Sequence, residues 1–402
     1  MQNARKMIER KEYFSQLERW KDKPVIKVVT GIRRCGKSTL MQMFADSLAG
    51  NGVERDCITM LNMEDLRNEE LLDYHRLHDY VVSRLRDGCM NYVFIDEIQM
   101  VPQFQKAINS LYLRPDIDIY LTGSNAYMLS GEISTLLSGR YVEIEMLPLS
   151  FAEFRTALPP STSSESAYRA YIATGSFPYL TEIRDDSRAV DDYLTGLYNT
   201  IVVKDLMTRK RMSDPDVLQR LMRYMADNVG NLTTVKRISD TLTSSGRTMS
   251  AHTVDYYLDA MCESFIIYPV RRYDIRGREH LKVGQKFYIV DTGLRNIMLA
   301  HRGGDNGRVM ENTVFLELLR RGYEVSIGKV GDWEVDFIAR RDGDIAYYQV
   351  ALTVRDTATL ERELRPLQSI ADFYPKFLIT MDNDPVVSHN GIKQLYLLDW
   401  LS

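Results

Sequence analysis

GIRRCGKST, from Gly31 to Thr39, decides the reading of this chain, because it matches the phosphate-binding loop G-x-x-x-x-G-K-[ST] at every fixed position. Gly31 and Gly36 let the backbone curl so that successive N–H groups turn inward. The helix that follows aims its positive end at the same point. Lys37 is expected to reach the β- and γ-phosphates of a nucleoside triphosphate, and the Ser38 hydroxyl to ligate Mg²⁺. Arg34, Cys35 and Thr39 complete the loop's candidate contacts. The flanks agree: residues 25–30 (VIKVVT) read as a buried strand and residues 39–49 (TLMQMFADSLA) as an amphipathic helix.

Downstream, an apolar strand at residues 92–95 ends in Asp96 and Glu97. In that position Asp96 is expected to hold Mg²⁺ through water and Glu97 to polarise an attacking water. A further candidate strand at 57–63 lies between loop and acid pair, which points to the additional-strand class of P-loop ATPases rather than to a small-molecule kinase. The next strand, 117–121 (IDIYL), runs into Thr122, Gly123, Ser124 and Asn125. Asn125 is the preferred sensor of the γ-phosphate, with Thr122 and Ser124 as competitors. A helical stretch at 130–140 (SGEISTLLSGR) ends at Arg140, just before a strand at 141–146. An arginine there can neutralise charge on a neighbouring subunit's triphosphate, or simply favour its own helix dipole.

The strings GIRRCGKSTL, FIDEIQ, LTGSNA and SGRYVEIEMLPLSFAEF stand beside an N-terminal RKEYFSQL and a C-terminal ENTVFLELLRRGYEV followed by EVDFI. Together they resemble AAA+ ATPases of the archaeal-ATPase-like clade, over nearly the whole chain. The resemblance implies an α/β fold: a P-loop AAA+ core over 1–157, a helical lid over 158–212, a winged helix over 213–290 and a PD-(D/E)XK nuclease-like domain over 291–402. It further implies ATP and Mg²⁺ as cofactors, an arginine-finger role for Arg140 and a homo-oligomer such as a hexameric ring.

Length and composition fit that layout. At 402 residues the chain is too long for one compact core, and 45% hydrophobic with 26% charged residues is ordinary for a soluble protein. A formal charge of −4 gives no global pull toward nucleic acid, so any such contact needs a local patch. The four cysteines, Cys35, Cys57, Cys89 and Cys262, show no paired spacing and read as reduced thiols. No apolar run approaches the roughly 18 residues of a membrane span, and the expected location is the cytoplasm.

Three helical stretches (216–228, 234–242, 250–264) and two strands (265–273, 286–291) form the winged-helix pattern. Between the strands, Arg271, Arg272, Arg276, Arg278, Lys282 and Lys286 against Asp274 and Glu279 leave a local net charge of +4. Such a wing can lie along a DNA backbone, giving affinity without sequence readout. A protein-binding wing with a solvated basic hairpin is the rival. In the last region Glu311, Asp336 and Gln349 align with the nuclease site, but Ala351 stands where the resemblance calls for a lysine. That predicts a nuclease fold without cleavage, unless Lys329 or Arg340 substitutes. The whole reads as an ATP-hydrolysing protein that binds and remodels DNA, with branched or four-way junctions suggested by analogy. The alternative is an ATP-dependent switch whose C-terminal half binds protein.

Overall fold

The computed structural model describes residues 7–124, 137, 139–201, 206–207, 214–244, 249–300, 305–385 and 387–402, without the side chains of 282 and 283. The chain divides into two compact units. The first comprises Met1–Pro148 with Glu263–Phe265, and the second Leu149–Cys262 with Ile266–Ser402.

The first unit is built on five strands, β1 (Ile26–Thr30), β2 (Ile58–Asn62), β3 (Asn91–Asp96), β4 (Ile117–Thr122) and β5 (Tyr141–Glu145). They pair in the order β2-β3-β4-β1-β5 and every pairing is parallel. A parallel sheet must be covered on both faces, and β1 and β3 are accordingly buried along nearly their whole length. On one face Phe94 and Tyr120 stack at 4.6 Å beneath Phe44 of α2 (Lys37–Gly50), which meets Phe14 of α1 (Lys11–Trp20) edge-on. On the other, Val93, Ile95, Ile119 and Leu121 pack with Leu77 and Val81 of α3 (Tyr74–Arg84) and Ile108 and Leu111 of α4 (Phe104–Tyr112).

The additional strand is β4. It is inserted between β1 and β3, while β2, the strand that intervenes in sequence, lies at the edge. Adjacency of β2 and β3 also brings Cys57 and Cys89 together across 32 residues in a disulfide, so the expectation of four reduced thiols is corrected. Sequence spacing could not show it, because the pair is made by strand neighbours in the sheet rather than by a local motif.

In the second unit, helices α5 (Phe151–Thr156), α6 (Ser164–Thr174), α7 (Leu180–Ile183) and α8 (Ser187–Thr200) precede α9 (Pro215–Asp227), α10 (Val235–Ser244) and α11 (Ala251–Glu263). The hairpin β6 (Ile267–Asp274) and β7 (Glu279–Ile289) then leads to α12 (Thr292–Met298), α13 (Asn306–Arg320), β8 (Glu324–Val330), β9 (Trp333–Arg341) and β10 (Asp344–Ala351). The chain ends with α14 (Thr357–Gln368), β11 (Lys376–Thr380), β12 (Ser388–His389), β13 (Ile392–Tyr396) and α15 (Leu397–Trp400).

One eight-stranded sheet runs β12-β13-β11-β10-β9-β8-β6-β7. The three helices and hairpin expected of a winged helix occur in order, yet the hairpin is not free-standing: β6 pairs in parallel with β8 through Arg272↔Ile327 and its neighbours. The proposed boundaries at 158, 213 and 291 are likewise bridged. Asp291 accepts from the Ser176 backbone N–H (2.6 Å) and hydroxyl (2.7 Å), and the Tyr168 hydroxyl donates to Thr313 (3.5 Å). The last three of the four expected parts thus fall within one compact unit. Helix α12 packs against α6 and α8, and the hairpin joins the C-terminal sheet through β6 and β8, which composition breaks along the chain do not reveal.

Candidate functional site

Because the five strands of the first unit are parallel, their carboxyl ends share one edge, and the motif residues meet there. β1 runs into the phosphate loop, β3 into Asp96 and Glu97, and β4 into Thr122 to Ser124. Such an edge is where open α/β sheets carry their ligands.

Gly31 has φ +137° and Gly36 φ +108°, the left-handed region that glycine tolerates. A Cβ at Gly31 would stand 2.2 Å from the Met146 carbonyl oxygen, so the loop also needs glycine for its close approach to the end of β5. Lys37, the first residue of α2, is 4% exposed, and its ammonium donates to the Gly31 (2.9 Å) and Ile32 (3.1 Å) carbonyls. Ser38, Thr39 and Arg34 are exposed around this turn, whereas Cys35 is buried. Arg10 reaches across from ahead of α1 and donates to the carbonyls of Cys35 (3.0 Å), Leu147 (2.7 Å) and Pro148 (3.3 Å). That buried guanidinium clamps the loop to the exit of β5. Sequence reading missed it, since a lone arginine in a charged N-terminal stretch carries no motif.

Asp96 and Glu97 are held by the neighbouring strand. The Thr122 hydroxyl donates to Asp96 Oδ1 (2.5 Å) and accepts from the Glu97 backbone N–H (2.9 Å). Glu97 itself lies at φ +55°, uncommon for a residue with a Cβ and typical of sites where strain serves geometry. Its carboxylate accepts from the Ser124 hydroxyl (3.0 Å) and from the Gln99 amide. Gln99 Oε1 is buried, with no hydrogen-bond partner among the described residues. Thr122 and Ser124, the competing sensors, both touch the acid pair. Asn125 lies outside the described residues, as does most of the stretch 130–138.

Arg140 is at the opposite edge. Tyr141 pairs with Ile26 and Glu145 with Thr30, so Arg140 and the loop are separated by the length of β1, about 16 Å at ~3.3 Å per residue. Its guanidinium lies over the Tyr112 ring at 5.3 Å, and its exposed side chain cannot reach the loop of its own subunit.

The C-terminal candidates form a second, separate cluster. Asp336 on β9 accepts from the Val350 N–H (2.9 Å), Gln349 on β10 accepts from the Asp336 N–H (3.3 Å), and Glu311 on α13 accepts from the Tyr288 hydroxyl (2.6 Å). The missing amine is present after all. Lys286 of β7, 4% exposed, places its ammonium 3.0 Å from Glu311, 2.8 Å from Glu334 and 3.8 Å from Asp336. Burial by itself would lower the Lys286 pKa, but the three carboxylates outweigh it and raise it. Burial and repulsion from Glu311 push the Asp336 carboxyl well above the usual range, with Lys286 opposing. Arg340 instead lies over the Tyr273 ring at 3.9 Å.

Lys286 is thus withdrawn from the basic hairpin, leaving that segment a net of +3 rather than +4. Arg271, Arg276 and Arg278 are exposed and Arg272 half-buried, while the Lys282 side chain lies outside the described residues. Among the described residues no three acid, histidine or cysteine side chains are placed to hold a metal ion, and no helix is long and apolar enough to cross a membrane.

Comparison with known proteins supplies the remaining context. Residues 23–155 match an AAA domain, and residues 165–304 match a domain of unknown function. An uncharacterized protein of Haemophilus influenzae is 39% identical over 402 residues, spanning 99% of both chains. An uncharacterized protein of Methanocaldococcus jannaschii is 27% identical over 331 residues, 78% of this chain and 71% of its own. Among solved structures, a Walker-type ATPase of Pyrococcus abyssi is 16% identical with a TM-score of 0.49, covering 73% of this chain and 96% of that one. The ORC1 protein of Aeropyrum pernix in complex with DNA is 13% identical with a TM-score of 0.31, covering 73% of this chain and 92% of that one.

Proposed function

The chain belongs to the same family as the Haemophilus influenzae protein and carries an AAA domain, and from that premise we propose that it is an ATPase that couples ATP hydrolysis to work on DNA. The observation that carries the hydrolytic half is the meeting of loop, acid pair and Thr122–Ser124 on one sheet edge. Lys37 leaves its loop carbonyls to bind the β- and γ-phosphates, and the loop N–H groups hold their oxygens. Ser38 and Asp96 are the groups to hold Mg²⁺, which when bound neutralises charge on the β- and γ-oxygens. Glu97, fixed by Ser124 and Gln99, orients and polarises the attacking water. Arg140 acts on the triphosphate of a neighbouring subunit in a homo-oligomer.

The DNA half rests on the exposed arginines of the β6–β7 hairpin and on the three helices before it. Lys286 stands between the three carboxylates where a cation must sit, which favours a structural ion network over a metal-dependent nuclease. Mg²⁺-dependent cleavage abolished by Asp336→Ala would overturn that. The working compartment is the cytoplasm, where ATP is supplied. The Cys57–Cys89 bond is uncommon under reducing conditions, and a thiol count on freshly isolated protein checks the assignment.

The deciding experiment is ATP turnover without DNA and with single strand, plain duplex or a four-way junction. Lys37→Ala should lose nucleotide binding, and Glu97→Gln should keep binding while turnover falls about 10²-fold or more. Stimulation by one DNA form establishes the motor and its substrate. Turnover indifferent to every form replaces it with the protein-directed switch.

A further inference from the structure

A cleft of about 460 Å³ opens beside the start of α10, lined by Thr233, Thr234, Arg271, His280 and Gln285 among others. Four observations on its walls agree. First, Thr233 is 4% exposed and its backbone is fully used, its N–H donating to Gln285 (2.9 Å) and its carbonyl accepting from Gln285 (3.1 Å). The Thr233 hydroxyl, by contrast, is buried with no hydrogen-bond partner among the described residues. A buried hydroxyl left unpaired is costly, so this is a group waiting for an acceptor.

Second, Thr234 caps α10, its hydroxyl accepting from the Arg237 N–H (3.2 Å). The other first-turn N–H groups of a helix have no acceptor within it and carry the positive end of its dipole. Third, the first turn of α10 contains no acid but exposes Lys236 and Arg237. Cations at that end oppose the dipole unless an anion sits between them. Fourth, the exposed side chains of Arg271 and His280 face the same cleft from the hairpin.

We propose that this cleft binds a phosphate group, with the Thr233 hydroxyl and the first-turn N–H groups of α10 as donors and Arg271 and His280 closing over it. The chemistry is shared by a phosphodiester of a DNA backbone and by a free phosphoryl anion. Only the first source rests on the DNA reading above. The site is distinct from the nucleotide loop, which belongs to the other unit.

The test uses the full chain with ADP and Mg²⁺ saturating, so that the nucleotide loop is filled. Binding of a short labelled DNA duplex is followed by anisotropy over a salt series, and binding of inorganic phosphate by calorimetry. The variants are Thr233→Val, Thr233→Ser and Arg271→Gln. Thr233→Val and Arg271→Gln should each weaken binding about tenfold, with the salt slope reduced by about 1 in Arg271→Gln. Thr233→Ser should keep wild-type affinity.

Losses seen with duplex identify the backbone as the source. Losses with inorganic phosphate in a protein that ignores duplex keep the cleft, assign it to a free anion and remove the DNA reading. Duplex binding unchanged in Thr233→Val and Arg271→Gln overturns the cleft while leaving that reading intact, and failure of wild type to bind either probe overturns the cleft outright. A merely wasted hydroxyl predicts instead that Thr233→Val melts at or above the wild-type temperature with affinity untouched.

Discussion

Single residues carry the chemistry proposed for the nucleotide edge, and most of them stand in sequence motifs. Gly31, Gly36, Lys37 and Ser38 could be read because a loop of that pattern has few other uses. Gln99 could not be so read: its part depends on the left-handed turn at Glu97, which folds the glutamine amide back onto the carboxylate beside Ser124. The amide contact holds the Glu97 carboxylate in the orientation its proposed role on water needs. Gln99→Ala should therefore lower turnover about tenfold with nucleotide affinity unchanged, since it removes an orienting contact and leaves the loop alone. Steady-state kinetics beside an equilibrium nucleotide titration check this, and a change confined to affinity would remove Gln99 from the water's surroundings.

Elements decide what the C-terminal acids do. Lys286 comes from β7, Glu311 from α13 and Glu334 and Asp336 from β9, and only the pairing of β6 with β8 brings them into one cluster. Read along the chain, Lys286 is one more charge of a basic hairpin; in the sheet it is buried. Lys286→Met should cost about 3–5 kcal/mol near neutral pH, because it leaves three carboxylates without their cation. The wild-type lysine, with its folded pKa raised, keeps its contribution below its unfolded pKa and loses it only as the pH climbs through the folded value. In the variant the sign is set by the acids. Asp336, already pushed up, takes its proton in the folded state before the unfolded chain does, so lowering the pH restores stability. Denaturant unfolding at about pH 7.5 and about pH 5 should show the deficit shrinking toward acid. An equal deficit at both would mean that packing, not charge, is lost.

At the scale of the whole molecule, Arg140 asks for a second copy. The length of β1 separates it from its own loop, so the proposed arginine-finger role requires a neighbouring subunit's triphosphate. Arg140→Ala should lower turnover about 10³-fold, and mixing it with inactive Lys37→Ala should recover part of the activity, because one subunit then lends its arginine to the other's intact loop. Full turnover in Arg140→Ala, or a mixture as inactive as its parts, would end the trans reading. By itself the sequence determined the nucleotide loop, the acid pair and the order of strands and helices, because these depend on local conformation and on motif spacing of a few residues. Tertiary structure alone decided that β4 separates β1 from β3, that Cys57 meets Cys89, that Arg10 clamps the loop, that Lys286 leaves the hairpin for the acids, and that Thr233 faces a cleft. Each of these is a contact between residues distant in the chain, set by which strands become neighbours and which faces they bury, and no local pattern encodes that choice.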